Sequence, residues 1–221
     1  MGKIDLYAIG GSAPCRAVLL TLKALNVPFE YKLVNLLTGD NRKPEYLAIN
    51  PHGTVPTLVD DGVMLTDSHA IITYVVDKYG TDDSLYPKDL VRRAKVNQAL
   101  FYEATVVFDR TLLSISKPIF TNNTVVPVAK IDAVFKVYEQ LESFLQAHTY
   151  FAGEQLTVAD FSLVATVTTL FTYAELDTSK YPKIHEWVRR LEELPYYAEA
   201  NGAGLKQYND IVKAIGFKVL R

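Results

Sequence analysis

A single cysteine, Cys15, in 221 residues excludes an internal disulfide and fits a reducing compartment, so a cytoplasmic location is expected. An excess of basic charge is also lacking: 23 Lys and Arg against 25 Asp and Glu leave a formal net charge of −2. That removes the positive field expected of a nucleic-acid-binding or acidic-membrane-binding surface, and neither partner is expected. Long apolar runs are absent. The opening MGKIDLYAIGG has no signal-peptide core, and nothing approaches the roughly 20 apolar residues a membrane span needs. The same stretch lacks the Ser or Thr six residues in that favours lipidation of Gly2. No repeat, low-complexity segment or metal-binding cluster stands out.

What is present is ordinary globular composition, 49% hydrophobic and 22% charged, in a chain long enough for one large domain or two small ones. The first 80 residues mix short strands and helices. KIDLYA alternates as a half-buried strand, and Pro14 opens a helix in PCRAVLLTLKAL. FEYKLV (29–34) reads as a second strand, TLVDDGVML (57–65) as a hairpin turning at Asp61-Gly62, and DSHAIITYVVDKYG as a helix ending at Gly80. The polar, proline-containing TDDSLYPKD then reads as a linker. Beyond it nearly everything is helical. RAKVNQALFYEATVVFDRTLLSISKPIF is one long helix pattern, and VPVAKIDAVFKVYEQLESFLQ is another. TVADFSLVATVTTLF, apolar on almost every side, reads as a central helix opened by a capping box at Thr157 and Asp160.

Three motifs carry chemistry, each with a purely structural alternative. In NPHGTVPTL, Pro56 before a strand is a candidate for a cis bond that turns the Val55 N–H and C=O outward to pair with an extended peptide. In TDSHAI, Asp67 and Ser68 open a helix, either as a simple cap or as a site in which Ser68 binds a carboxylate and Asp67 an ammonium. In GGSAPCRAV, Ser12 at a helix start either caps that helix or donates a hydrogen bond to a thiolate.

In this order, GSAPCRAV, NPHGTVP, TDSHAII and LTVADFSLV, followed by an all-helical half, resemble the cytosolic glutathione transferases of the insect delta and epsilon classes, the epsilon form most closely. The resemblance covers essentially the whole chain. It implies an α/β plus all-α fold: a thioredoxin-like N-terminal domain (1–81), a linker (82–89) and a helical C-terminal domain (90–221). It also implies a homodimer with glutathione as co-substrate, no metal, and a hydrophobic small-molecule electrophile. In that frame Ser12 faces the sulfur and lowers the thiol pKa, Val55 and Pro56 hold the cysteinyl backbone, and Asp67 and Ser68 hold the γ-glutamyl head. His69 is a further candidate for the glutathione carboxylates. Two family histidines are replaced. Asn41 stands where members carry the histidine of GEH, and Gly53 where they carry the histidine of NPQHTVP, with His52 displaced by one. Weaker glutathione binding, or a rearranged glycyl end, is expected.

Within the site Cys15 reads as a buried structural thiol, and Tyr7 is the rival to Ser12. His148 and His185 read as solvated. Counting at helical spacing, Phe108, Leu112, Ile115 and Phe120 are candidates for the electrophile pocket, with Tyr208 and Phe217 closing over it. Leu112 and Ser116 stand where epsilon relatives often carry charge, which suggests a less polar pocket. Conjugation, hydroperoxide reduction and dehydrochlorination are all family activities. The alternative from another class is a non-catalytic carrier of apolar ligands.

Overall fold

The computed structural model describes residues 4–220, so the reading of Gly2 lies outside the described residues. Strand β1 (Ile4–Ala8) buries Ile4, Leu6 and Ala8 and leaves Asp5 and Tyr7 half-buried on its other face, as the alternation predicts. The chain turns through Gly10 and Gly11 into helix α1 (Ala13–Ala24), with Ser12 as N-cap and Pro14 in the first turn. Strand β2 (Glu30–Leu33) pairs parallel with β1. Two single 3-10 turns and the short helix α2 (Pro44–Leu47) fill the irregular stretch that follows. Strands β3 (Thr57–Asp60) and β4 (Val63–Thr66) form the expected hairpin. Asp61 and Gly62 take φ of 49° and 84°, the two positive values a type I′ turn requires. The sheet order is β2-β1-β3-β4, and helix α3 (Ser68–Tyr79) ends at Gly80, completing the thioredoxin-like half.

The rest is helical, with one departure. Helix α4 (Leu90–Tyr102) runs directly into an eleven-residue π-helix, Glu103–Leu113, and then into α5 (Ser114–Phe120). The sequence reads as one continuous helix, which is right, but the i→i+5 bonding of the middle section shifts which residues share a face. Thr111 marks that register, its hydroxyl donating to the Val106 carbonyl five residues back at 2.8 Å. Strand β5 (Val125–Pro127), helices α6 (Val128–Ala147), α7 (Val158–Leu170) and α8 (Pro182–Glu192), and a short π turn, Ala198–Gly202, follow. Helix α9 (Ala203–Ile215) then leads to strand β6 (Lys218–Leu220), which pairs parallel with β5.

Helix α7 is buried at every position and packs on α1, joining the two halves. Its capping box is formed: the Thr157 N–H donates to Asp160 at 3.0 Å. Asp160 also accepts from the Phe151 N–H and the Trp187 indole, so a fully buried carboxyl is satisfied by four donors from three segments. Burial lifts its pKa to about 6 against the pull of those donors. Among the described residues no helix is long and apolar enough to cross a membrane, and no cluster of three His, Cys, Asp or Glu could hold a metal.

Candidate active site

Ser12 sits where β1 ends and α1 begins, half-buried, its Oγ 3.5 Å from the Cys15 N–H. An unpaired helix start carries positive potential, and the Ser12 hydroxyl adds a donor to it. Cys15 is fully buried, as expected. Burial pushes its thiol up to about 11, while the Ser12 hydroxyl pulls the other way. A buried thiol held protonated is a poor nucleophile. Tyr7 stands on the sheet face away from the Ile4, Leu6 and Ala8 core, its ring 6.0 Å from that of Tyr46.

The Val55-Pro56 bond is cis. Among the described residues no hydrogen bond engages the Val55 N–H or C=O, which leaves both for an extended ligand. Two residues outside the candidate set hold this loop. The Tyr46 hydroxyl donates to the Thr54 carbonyl, and the fully buried Asn50 donates to the same oxygen at 2.8 Å. Asn50 also accepts from the His52 N–H at 3.0 Å. It opens the NPHGTVP motif, so a buried polar anchor was available to a closer reading.

At the start of α3, Asp67 caps the helix by accepting from the His69 and Ala70 N–H groups at 2.8 and 3.1 Å. Its φ is +72°, a conformation that costs a non-glycine residue roughly 1–3 kcal/mol and persists only where the surroundings impose it. Asp67 is exposed and Ser68 is buried beside it, so the cap and the two-charge site are compatible.

His69 also has partners of its own. Its Nε2 lies 2.8 Å from Glu103 and 2.9 Å from the Ser162 hydroxyl, so the ring braces the two halves. Glu103, only 3% exposed, also accepts from the Ser162 and Thr166 hydroxyls. Burial alone would push the His69 pKa down, but the hydrogen bond and charge of Glu103, with Asp67, outweigh it and leave it above the ordinary value. Glu103, Ser162 and Thr166 gave no local sequence signal, because their partners lie 34 to 93 residues away.

Asn41 and Gly53, the two replaced histidine positions, touch each other. The Asn41 amide donates to the Gly53 carbonyl at 2.6 Å. Gly53 has φ +64°, and a Cβ there would sit 2.9 Å from the Asn41 carbonyl and the Arg42 guanidinium. One N–H of Asn41 is therefore committed within the loop. His52 is exposed on the turn. His185 is exposed and His148 half-buried beside Glu154.

Of the pocket candidates, Phe108 and Phe120 are half-buried, whereas Leu112 and Ile115 are buried in the core. Across the π section the i→i+5 bonding departs from the α-helical spacing used in that count. Phe120 packs on Tyr208 at 5.7 Å, and Phe217 on Tyr173 at 5.5 Å. Tyr208 lies against Gly11, within 3.8 Å of where a Cβ would be. Helix α9 reaches the Ser12 turn through glycines: a Cβ on Gly204 would fall 2.1 Å from the Gly10 carbonyl. Beneath it Arg16, fully buried, donates to the Ala165 carbonyl at 2.9 Å and to Thr169.

The family of the glutathione S-transferase N-terminal domain matches residues 6–83, and that of the C-terminal domain matches 105–195. Glutathione S-transferase 1 of Manduca sexta is 39% identical over 211 residues, covering 95% of this chain and 97% of the relative. An epsilon-class glutathione S-transferase of the housefly, Musca domestica, superposes with a TM-score of 0.96 at 52% identity, covering 97% of this chain and 99% of the other. A glutathione transferase homologue of Drosophila mojavensis, with bound glutathione, gives a TM-score of 0.96 at 47% identity, covering 100% of both chains.

Proposed function

The chain belongs to the glutathione S-transferase family, and from that premise we propose how its residues divide the work. The enzyme takes glutathione as co-substrate, and the carrier alternative is not favoured. In our reading residues 1–81 bind glutathione, 82–89 link, and 90–221 supply the electrophile pocket. Asp67 takes the α-ammonium, and Ser68, through its N–H and hydroxyl, takes the α-carboxylate at the start of α3. Val55 pairs with the cysteinyl backbone beside Pro56. Ser12 donates to the sulfur, so that thiolate is available at neutral pH to attack an electrophile. Each unit by which the thiol pKa falls corresponds to about 1.4 kcal/mol of thiolate stabilisation.

The observation that carries this reading is the placement of the half-buried Ser12 hydroxyl at the start of α1, a helix start that favours an anion. Phe108, Phe120 and Tyr208 line the path for a hydrophobic electrophile, and Asn41 and His52 border the glycyl end. A cytoplasmic homodimer fits the rest. Exposed Val63 and Met64 on β4 and Leu90, Val91 and Phe101 on α4 are apolar groups that a second copy would cover. Turnover of a generic aryl halide with titrated glutathione tests the assignment. Ser12→Ala is expected to lower kcat/KM at least about a hundredfold, in line with the loss of one preorganised donor. Full activity in Ser12→Ala together with its loss in Tyr7→Phe would overturn it.

A further inference from the structure

At the end of the glutathione site away from Asp67 two loops meet, and Asn41 and Gly53 stand there in place of the family histidines. One loop is the single 3-10 turn Asp40–Arg42, closed by the Arg42 N–H donating to the Gly39 carbonyl at 2.9 Å. The other is the turn that carries Gly53. The Asn41 amide ties the two together through the Gly53 carbonyl at 2.6 Å. Arg42, the next residue, lies over Gly53: its Nη1 would be 2.9 Å, and its Cζ 3.4 Å, from a Cβ on residue 53. The guanidinium therefore fills the space into which a side chain at 53 would project. Both could not stand there, and the φ of +64° at Gly53 is itself one that L side chains rarely adopt.

The charge on Arg42 is not met within the protein. Asp40, the carboxylate nearest in sequence, is already engaged: it pairs with Lys43 at 2.7 Å and accepts from the Asn35 N–H at 3.0 Å. Glu45 also acts on Lys43. Among the described residues the Arg42 guanidinium makes no hydrogen bond or ion pair, and the residue is exposed. A guanidinium free of acidic neighbours presents a planar fork of donors that matches a carboxylate at two points. It also keeps its charge at neutral pH, where an imidazole would be only partly charged.

Resting on the placement of the cysteinyl backbone along Val55, we propose that Arg42 binds the glycyl carboxylate of glutathione in place of the two histidines, and so selects thiols that end in a free carboxylate there. The tripeptide runs from its head group at Asp67 and Ser68 past Val55, so its last residue falls on the side of Gly53, two residues before Val55 in the chain. Glycine at 53 and asparagine at 41 then belong to one arrangement. The first leaves room for the guanidinium, and the second fixes the turn that carries it. The carboxylate takes two parallel N–H···O bonds from a charged group. The same bonds hold substrate and transition state alike, far from the sulfur, so they act on KM and leave kcat as it is.

The test compares glutathione with its glycyl monoethyl ester, which keeps the thiol and the head group and loses only the terminal charge, each with saturating 1-chloro-2,4-dinitrobenzene. In the wild type the KM for the ester is expected to exceed that for glutathione about fivefold, the upper end for an exposed ion pair. Arg42→Gln is expected to raise the glutathione KM by that same factor and to leave the ester KM and kcat unchanged, so that the two KM values converge. Arg42→Lys, which keeps the charge without the fork, is expected to fall between. Equal KM values in the wild type, or a ratio that Arg42→Gln leaves unchanged, would overturn the proposal. A parallel rise of both KM values in Arg42→Gln overturns it too, because a collapsed loop affects both ligands alike. Asp67→Ala is expected to raise both KM values together and keep their ratio. If it raises neither, the placement of the peptide is at fault; if it raises both while Arg42→Gln leaves the ratio unchanged, Arg42 alone is.

Discussion

The two ends of the glutathione site are built on different principles. At the Asp67 end the cap, the buried Ser68 and the brace of His69 on Glu103 tie α3 of one half to the π-helix and α7 of the other. At the Asn41 end a loop holds itself, through the bond from Asn41 to the Gly53 carbonyl and through Asn50, with His52 exposed. One end is a rigid, charged clamp fixed across the two halves; the other is local and open to solvent. Affinity and order should therefore be concentrated in the first, which is where the head group with two charges binds in our reading. The second has lost both family histidines and has used an amide N–H on itself.

Breaking that contrast gives a graded set of expectations. Glu103→Ala leaves His69, Ser162 and Thr166 without their common acceptor, and removing one partner of a buried pair is expected to cost about 3 kcal/mol, read as a shift in the denaturation midpoint. An unchanged midpoint would mean the brace is idle. Asp67→Ala is expected to raise the glutathione KM about tenfold or more, the scale of one charge-assisted hydrogen bond, with a smaller effect on the electrophile KM. Equal effects on both would speak for a general collapse of α3.

The brace also carries a pH dependence with a definite sign. In the folded protein the His69 pKa is raised above its ordinary value of 6.5. Its contribution to stability is therefore complete below about 6.5 and is lost as pH rises through the raised value. The wild-type Tm should decline from neutral to mildly alkaline pH more steeply than that of His69→Gln, and parallel curves would contradict this. The smallest effect is expected at the other end: Asn41→Ala should cost about 1 kcal/mol of stability and change the glutathione KM less than Asp67→Ala does. The reverse ranking would invert the comparison.

How much of this was legible in the sequence follows the same division between local and distant. Ser12 at a proline-opened helix, the cis bond before Pro56, the Asp67 cap and the Thr157–Asp160 box are all set within a few residues. Short-range chemistry was enough to point to them, and family likeness supplied their roles. Nothing in the residues around Glu103 or Arg16 marks either as buried. Their burial is decided by packing on α7, some 60 and 150 residues away, which no local pattern encodes. Leu112 and Ile115 were placed on the pocket because an α-helical period was assumed. The π section Glu103–Leu113 departs from that period, and both residues are buried. The contacts of His69 with Glu103 and Ser162 were hidden for a related reason: their partners lie 34 and 93 residues away, in the other half.

The central claim is that Ser12 holds glutathione as thiolate. Titrating the ultraviolet absorbance of the bound thiolate against pH, in wild type and in Ser12→Ala saturated with glutathione, tests it without any electrophile. We predict that the wild type shows bound thiolate at neutral pH and that Ser12→Ala shifts the titration upward by about one to two units, roughly 1.4 kcal/mol for each. Superimposable titrations in the two proteins would contradict it.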